Sequence, residues 1–96
     1  MPSLVWTRTA RLDLARLHAF LARQNPSAAN RAIRTNQRDL KILETHPEIG
    51  RPVPELSSAY REWFVDFGHG GYVALYRYEG GQVFILELRH GREAGF

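Results

Sequence analysis

Hydrophobic residues in the first half of the chain recur at helical spacing. Leu4 to Trp6 form a short run of strand-favouring residues, and polar residues follow it. Apolar positions then return after four and three residues, which is the spacing of one face of an α-helix. This stripe comprises Leu14, Leu17, Phe20 and Leu21. The pattern predicts a strand and then a helix from Ala10 to about Gln24, with Thr7 or Thr9 as its N-cap.

A second helical pattern follows the first almost at once. Asn25 suits an N-cap, Pro26 suits the first helical position, and Pro47 marks the stop. Polar Asn36 interrupts its apolar line, which comprises Ala29, Ala32, Ile33, Leu40 and Leu43. Because the connection is so short, we expect the two helices to form an antiparallel hairpin.

The second half of the chain is strand-like and glycine-punctuated. Three runs rich in aromatic and β-branched residues are separated by glycine-containing turns at 68–71 and 79–81. The runs are Arg61–Phe67, Tyr72–Tyr78 and Gln82–Leu88. They predict an antiparallel meander. The proline-rich stretch 47–60 is held between ordered elements, so we expect a structured crossover there.

The predicted order is β-α-α-β-β-β within a single domain, 1–96. This is an α+β fold in which the helical hairpin packs on one face of a small, mainly antiparallel, twisted sheet. The third run is apolar on both faces, as an internal strand would be. Trp63 and Val65 point to one face of their strand and Phe64 to the other. If the face bearing Phe64 is exposed, it offers an apolar patch to a partner.

Composition narrows the class of protein. The chain has no cysteine, so it offers no disulfide and no thiolate ligand or nucleophile. Its four histidines lack metal-ligand spacing, and we expect no metal and no cofactor. The first residues lack the pattern of a signal peptide, and no apolar run approaches the ~20 residues that span a bilayer. We therefore expect a soluble cytoplasmic protein without a membrane partner.

The positive charge is carried almost entirely by arginine. The net charge is +3, with 12 Arg and a single Lys. Arginine suits planar, bidentate contacts to carboxylate or phosphate groups. Arg89, His90 and Arg92 follow the last predicted strand together. This group is either a recognition surface for an anionic partner or a solubilising tail, and we favour recognition.

Several segments, in order, resemble the ParE/RelE superfamily of type II toxin–antitoxin toxins. They are "HPEIGRPVPEL", "YREWFV", "YVALYRYEGGQVFILEL" and "RHGRE". The Gly50-Arg51-Pro52 and His90-Gly91-Arg92 segments are specifically ParE-like. The resemblance covers nearly the whole chain and implies the fold predicted above. It also implies a toxin neutralised by a cognate, ParD-like antitoxin in a hetero-oligomer, with operator DNA contacted only through the antitoxin.

Two activities occur in that superfamily: ribosome-dependent cleavage of messenger RNA and poisoning of DNA gyrase. RNA cleavage without a metal needs groups that transfer protons and stabilise the charge of the phosphorane. The candidates are Arg61, Arg77, His90 and Arg92, with Tyr72 or Tyr76. However, the crossover carries only Arg51, Val73 stands where RelE-like chains have an arginine, and Phe96 stands where a catalytic tyrosine is wanted.

These deficits favour a gyrase poison with no catalytic site of its own. The residues expected to contact the target or the antitoxin are Arg61, Arg89, His90, Arg92 and Phe96. Two alternatives stay open, a RelE-like messenger RNA interferase and a non-toxic homologue that retains antitoxin binding and autoregulation. A purely structural role for Arg61 and Arg77, as partners of nearby carboxylates, also stays open.

Overall fold

The chain folds into two helices and a five-stranded sheet. The computed structural model describes residues 2–67 and 70–90. Its strands are β1 (Ser3–Trp6), β2 (Arg51–Pro52), β3 (Tyr60–Val65), β4 (Tyr72–Glu79) and β5 (Gln82–His90). Its helices are α1 (Arg8–Ala22) and α2 (Pro26–Leu40), and a 3₁₀ turn, Lys41–Glu44, continues α2. The predicted α+β class and the helical hairpin are confirmed.

The strand order in the sheet is β1-β5-β4-β3-β2. The last three strands form the predicted antiparallel meander, and β1 joins it by pairing parallel to β5. The connection between β1 and β5 therefore contains both helices and the rest of the sheet. β5 is an internal strand, as its apolar character on both faces predicted.

The helix starts follow the capping residues in the sequence. The Thr7 hydroxyl accepts a hydrogen bond from the Ala10 amide at 3.2 Å. The Asn25 side chain accepts one from the Ala28 amide at 3.1 Å, with Pro26 at the first helical position. Each cap satisfies an amide that has no partner within the helix.

The core lies between the helical hairpin and one face of the sheet, which we name the inner face. Its largest fully buried apolar side chains are Leu40, Leu43, Val65, Tyr76, Val83, Ile85 and Leu88. Trp63 packs partly buried beside Val65, while Phe64 stays 55% exposed on the opposite, outer face. The alternation predicted for β3 is confirmed.

Three predicted details of the helices are wrong. Phe20 is 60% exposed, because its side of α1 faces away from the sheet. Polar Asn36 does not break the buried line but is itself 1% exposed, and its amide donates to the Ala32 carbonyl at 2.8 Å. The α-helical geometry of α2 ends at Leu40, well before Pro47.

The sheet contains one strand that the sequence pattern did not predict. β2 is only two residues long and pairs Arg51 with Glu62 and Pro52 with Arg61. A proline fits this position because β2 is an edge strand. Local propensity carries no sign of β2, since tertiary contacts of the crossover hold it in place.

β5 extends beyond its predicted end at Leu88. Arg89 and His90 are its last two residues, opposite Val73 and Tyr72 of β4. Both therefore belong to the sheet and not to a segment that follows it. Arg92, Phe96 and part of the 68–71 turn lie outside the described residues.

Candidate functional site

Arg61 and Tyr76, two residues proposed for catalysis, hold the crossover against the inner face. The Arg61 guanidinium donates to the carbonyl oxygens of Glu48 (3.0 Å) and Gly50 (2.8 Å). The Tyr76 hydroxyl donates to the Pro47 carbonyl at 2.8 Å and accepts from the Gly50 amide at 2.9 Å. The two side chains thus anchor the segment that leads into β2.

Steric contacts explain why a glycine occupies the first position of the ParE-like Gly50-Arg51-Pro52 segment. A Cβ atom placed on Gly50 would lie 2.4 Å from the Tyr76 hydroxyl oxygen and 2.8 Å from the Glu62 carbonyl oxygen. Only glycine therefore lets the crossover approach Tyr76 closely enough to form both hydrogen bonds.

Arginines on the outer face lie beside glutamates. Arg51 pairs with Glu62, Arg77 with Glu79 at 2.7 Å, and Arg89 lies 3.7 Å from Glu87. Arg77 also stacks over the ring of Phe84, 4.8 Å from its centroid. The structural role considered for Arg77 is therefore seen, and these pairs offset positive charge on this face.

Arg89 and His90 lie on opposite faces of the sheet, because consecutive strand residues alternate. Arg89 stands opposite Val73 on the outer face. His90 stands opposite Tyr72, and their rings meet edge to face with centroids 5.7 Å apart. The sequence grouped these two residues, but the structure directs them to different surroundings.

The two candidate tyrosines are buried and keep their protons. Burial raises the pKa of the Tyr72 hydroxyl above its ordinary value. Burial also raises the pKa of Tyr76, although the Gly50 amide and the Arg61 charge act in the opposite direction. A phenol with a raised pKa is a poor general base near neutral pH.

Among the described residues we also looked for a metal site and for a membrane-spanning helix. Their histidine and acidic side chains do not gather into a group of three or more that could hold a metal ion. Within the same part of the chain, neither helix has the length and apolar character needed to cross a bilayer.

A groove of about 750 Å³ runs between α1 and α2, and we name it the hairpin groove. It is lined by Trp6, Arg11, Leu14, Ala15, His18, Asn30, Ile33, Arg34 and Gln37. His18 and Asn30 bridge the two helices with a 3.0 Å hydrogen bond. The groove is apolar at its base, and arginines stand on both helices.

The charge lining the hairpin groove is of one sign, positive. Arg11 comes from α1 and Arg34 from α2, and none of the described residues lining the groove is acidic. A second depression shares Trp6 and Gln37 with it and adds Arg38, Lys41 and Glu44. The surface along α2 is therefore suited to a segment with apolar and acidic side chains.

The contact residues named from the sequence, Arg61 and the group at the end of the chain, do not line this groove. The signal was present, since Arg11 and Arg34 flank the apolar positions Leu14 and Ile33 of the two helical stripes. Which arginines share a groove depends on how the helices are rotated against each other. That rotation is set by packing and cannot be read from either stripe alone.

Comparison with known proteins gives one family. Residues 4–95 match the family model described as the ParE toxin of the type II toxin–antitoxin system, parDE. Two similar proteins come from Caulobacter vibrioides, each aligned over 84 residues and 88% of this chain. Toxin RelE3 is 39% identical, with 88% of its own length covered. Toxin RelE1 is 33% identical, with 87% covered.

Solved structures share the fold. The chromosomal ParDE system from P. aeruginosa matches with a TM-score of 0.79 at 24% identity, covering 94% of this chain and 96% of that one. The toxin–antitoxin complex RelBE2 from Mycobacterium tuberculosis matches with a TM-score of 0.57, also at 24% identity, covering 94% and 99%. With the family match over nearly its whole length, the chain belongs to the ParE toxin family and is the toxin of a type II toxin–antitoxin module.

Proposed function

We propose that this toxin arrests growth by poisoning DNA gyrase, without a catalytic site of its own. The observation that carries the proposal is the separation of the candidate ribonuclease residues. Arg61 and Tyr76 lie opposite each other on the inner face, His90 lies opposite Tyr72, four residues along β4 from Tyr76, and Arg77 lies on the outer face. General acid–base catalysis requires its groups within hydrogen-bonding reach of one substrate.

The hydrogen bonds of these residues support the same proposal. Arg61 and Tyr76 are engaged with carbonyl groups of the crossover, and Arg77 is engaged with Glu79. Releasing Arg61 and Tyr76 for an RNA phosphate would leave backbone groups without partners, at a cost of about 1–3 kcal/mol each. A protein-binding surface needs no such rearrangement.

The proposed neutralising partner is a cognate antitoxin that binds in the hairpin groove. The structures that share this fold come from toxin–antitoxin systems, which supports a partner of this kind. The groove supplies an apolar base and two arginines, so we expect an amphipathic antitoxin helix with acidic residues on its borders. The chain would then act only when that helix is removed.

For the target contact we propose the residues that the sequence groups at the end of the chain, Arg89, His90, Arg92 and Phe96. Arg89 lies on the outer face at the end of β5. We assign Arg61 a supporting role, because its contacts fix the crossover.

The experiment is a gyrase supercoiling assay that also detects trapped, cleaved DNA. The unaltered toxin is expected to inhibit supercoiling and trap cleavage, and Arg89→Ala/Arg92→Ala is expected to raise the inhibitory concentration at least tenfold. Arg23→Ala/Arg31→Ala removes the same charge from two exposed positions, one just after α1 and one on α2, and serves as the matched control. Inhibition that survives in the first variant would reject the contact residues but keep the target.

RelE-like cleavage of ribosome-bound messenger RNA is the second candidate, because both Caulobacter relatives are named RelE toxins. Primer extension on messenger RNA from cells expressing the toxin tests it. New cleavage sites that appear within minutes, together with an inactive gyrase assay, would replace the gyrase proposal with this one.

A further inference from the structure

The edge of β3 beyond β2 is open. The Tyr78 amide donates to the Ala59 carbonyl at 2.9 Å, so Ala59 and every second residue after it direct their backbone groups toward β4. Phe64 therefore directs its N–H and C=O away from β4. On the side away from β4, β2 pairs only with Arg61 and Glu62, so no strand in the described residues pairs with Phe64 on that side. We name the segment 63–65 the β3 edge.

A depression lies on each side of the β3 edge. The outer one, about 530 Å³, is lined by Ile49, Arg51, Glu62, Trp63, Phe64 and Val73. The inner one, about 360 Å³, is lined by Arg38, Asp39, Ile42, Trp63, Phe64 and Asp66. A strand added to a sheet edge directs alternate side chains to opposite faces. One such strand would fill both depressions.

The side chains around the edge are unusually exposed for their size. Phe64, Ile49 and Ile42 are 55%, 42% and 37% exposed. Uncovered apolar groups beside unpaired backbone are an aggregation hazard that proteins normally cover or blunt with charge. In both depressions the arginine is accompanied by at least one carboxylate, which favours an uncharged occupant.

A second copy of this chain fits the edge poorly. An antiparallel pair of β3 strands centred on Phe64 would place residue 62 of each copy opposite residue 66 of the other. β2 already occupies the space beside residue 62. The two copies of β2 would therefore collide with the paired strands, which leaves too few hydrogen bonds for a stable pair. A free extended segment has no such obstacle.

The depressions also connect this edge with the hairpin groove. The groove shares Gln37 with the depression that contains Arg38, and Arg38 also lines the inner depression beside Trp63. One polypeptide can thus pass from the groove, around the end of α2, to β3. We propose that the antitoxin adds an extended, uncharged segment to the β3 edge as a sixth strand, with Phe64 at its centre. This inference rests on the proposed antitoxin partner.

Hydrogen exchange at a single amide tests the inference. The antitoxin encoded in the same operon is the probe, and exchange is followed by NMR in the free and bound toxin. The Phe64 amide is expected to exchange at least tenfold more slowly in the complex, because it gains a backbone acceptor. Equally fast exchange in both states overturns strand addition. Slow exchange that already appears in the free toxin and depends on its concentration assigns the edge to a second copy instead.

Two substitutions at Phe64 separate backbone from side chain. Phe64→Ala keeps the N–H and removes the ring, whereas Phe64→Pro removes both, and edge strands accept proline. Phe64→Pro is expected to raise the Kd for the antitoxin at least fivefold above that of Phe64→Ala, with melting temperatures measured for each. Equal affinities for two folded variants overturn the inference. If the antitoxin does not bind even the unaltered toxin, the proposed partner is wrong, and the inference about the β3 edge falls with it. Binding without slower exchange at Phe64 overturns strand addition alone.

Discussion

At the scale of single residues, the Tyr76 hydroxyl connects the first and second halves of the chain. It lies on β4 and bonds to the backbone at Pro47 and Gly50, just after the helical hairpin. Because the residue is fully buried, no water replaces these bonds when the hydroxyl is removed. The crossover is therefore held to the sheet by the tyrosine that a catalytic interpretation would require to be free.

Tyr76→Phe is expected to lower the free energy of unfolding by about 1–3 kcal/mol, because it leaves a buried amide and a carbonyl without their partner. Urea denaturation measures the change. Tyr78→Phe is the control, since the Tyr78 hydroxyl makes no hydrogen bond among the described residues. Equal losses in the two variants would contradict the role assigned to the Tyr76 hydroxyl.

Because the pKa of Tyr76 is raised, the stability of the fold decreases at alkaline pH. A pKa raised in the folded state means that the folded protein binds the phenolic proton more tightly than the unfolded chain does. The stabilisation is complete below the ordinary value of 10.0 and is lost as pH rises through the folded-state pKa. Melting temperatures measured from pH 8 upwards should stay level at first and then fall between about pH 10 and 11. They should fall less steeply for Tyr76→Phe, and parallel curves would count against this linkage.

At the scale of secondary-structure elements, α1 completes the backbone hydrogen bonding of β5. β1 pairs with β5 only as far as Ile85 and then turns into the helix. Beyond that point the Thr7 hydroxyl donates to the Ile85 carbonyl at 2.7 Å, and the Leu88 amide donates to the Asp13 carboxylate at 3.0 Å. A register shift in the pairing with β4 lies in the same stretch. Side chains of the helix thus replace the missing strand.

Asp13→Ala is expected to cost about 1.5–3 kcal/mol of unfolding free energy, the range for hydrogen bonds to charged groups. Asp13→Asn keeps an acceptor oxygen at the same place and is expected to lose less than half as much. Chemical denaturation of both variants decides the point. If the alanine variant is as stable as the parent, the helix does not support β5 in this way.

The elements also show how far sequence reasoning extends. The helices, the meander and both N-caps follow from local patterns, because periodicity and capping are properties of neighbouring residues. β2 does not, since contacts from Arg61 and Tyr76 far along the chain create it. The exposure of Phe20 and the burial of Asn36 depend on how each helix is rotated against the sheet, and local patterns leave that undetermined.

At the scale of the whole molecule, two groups of arginines have different surroundings. Those on the outer face lie beside glutamates, whereas Arg11 and Arg34 border an apolar groove without acidic neighbours among its described lining residues. A net charge of +3 conceals this division. The candidate binding site follows from the distribution of the charges, which appears only once the fold brings the two helices together.

Charge reversal in the groove is therefore expected to weaken the antitoxin complex. Arg11→Glu/Arg34→Glu should raise the Kd at least tenfold, and calorimetry at two salt concentrations should show a smaller salt dependence than for the parent. Arg23→Glu/Arg31→Glu, on exposed positions that do not line the groove, is the matched control. A comparable loss in the control would point to overall charge and not to the groove.

The parallel pairing of β1 with β5 governs the order in which this toxin can mature. Ser3 pairs with Gln82, so the first strand to be synthesised can pair only after the last strand has been made. Until β5 has been made, the helical hairpin has no complete sheet to pack against, and pairings between such distant segments form slowly. The complete sheet therefore forms only once β5 has been synthesised.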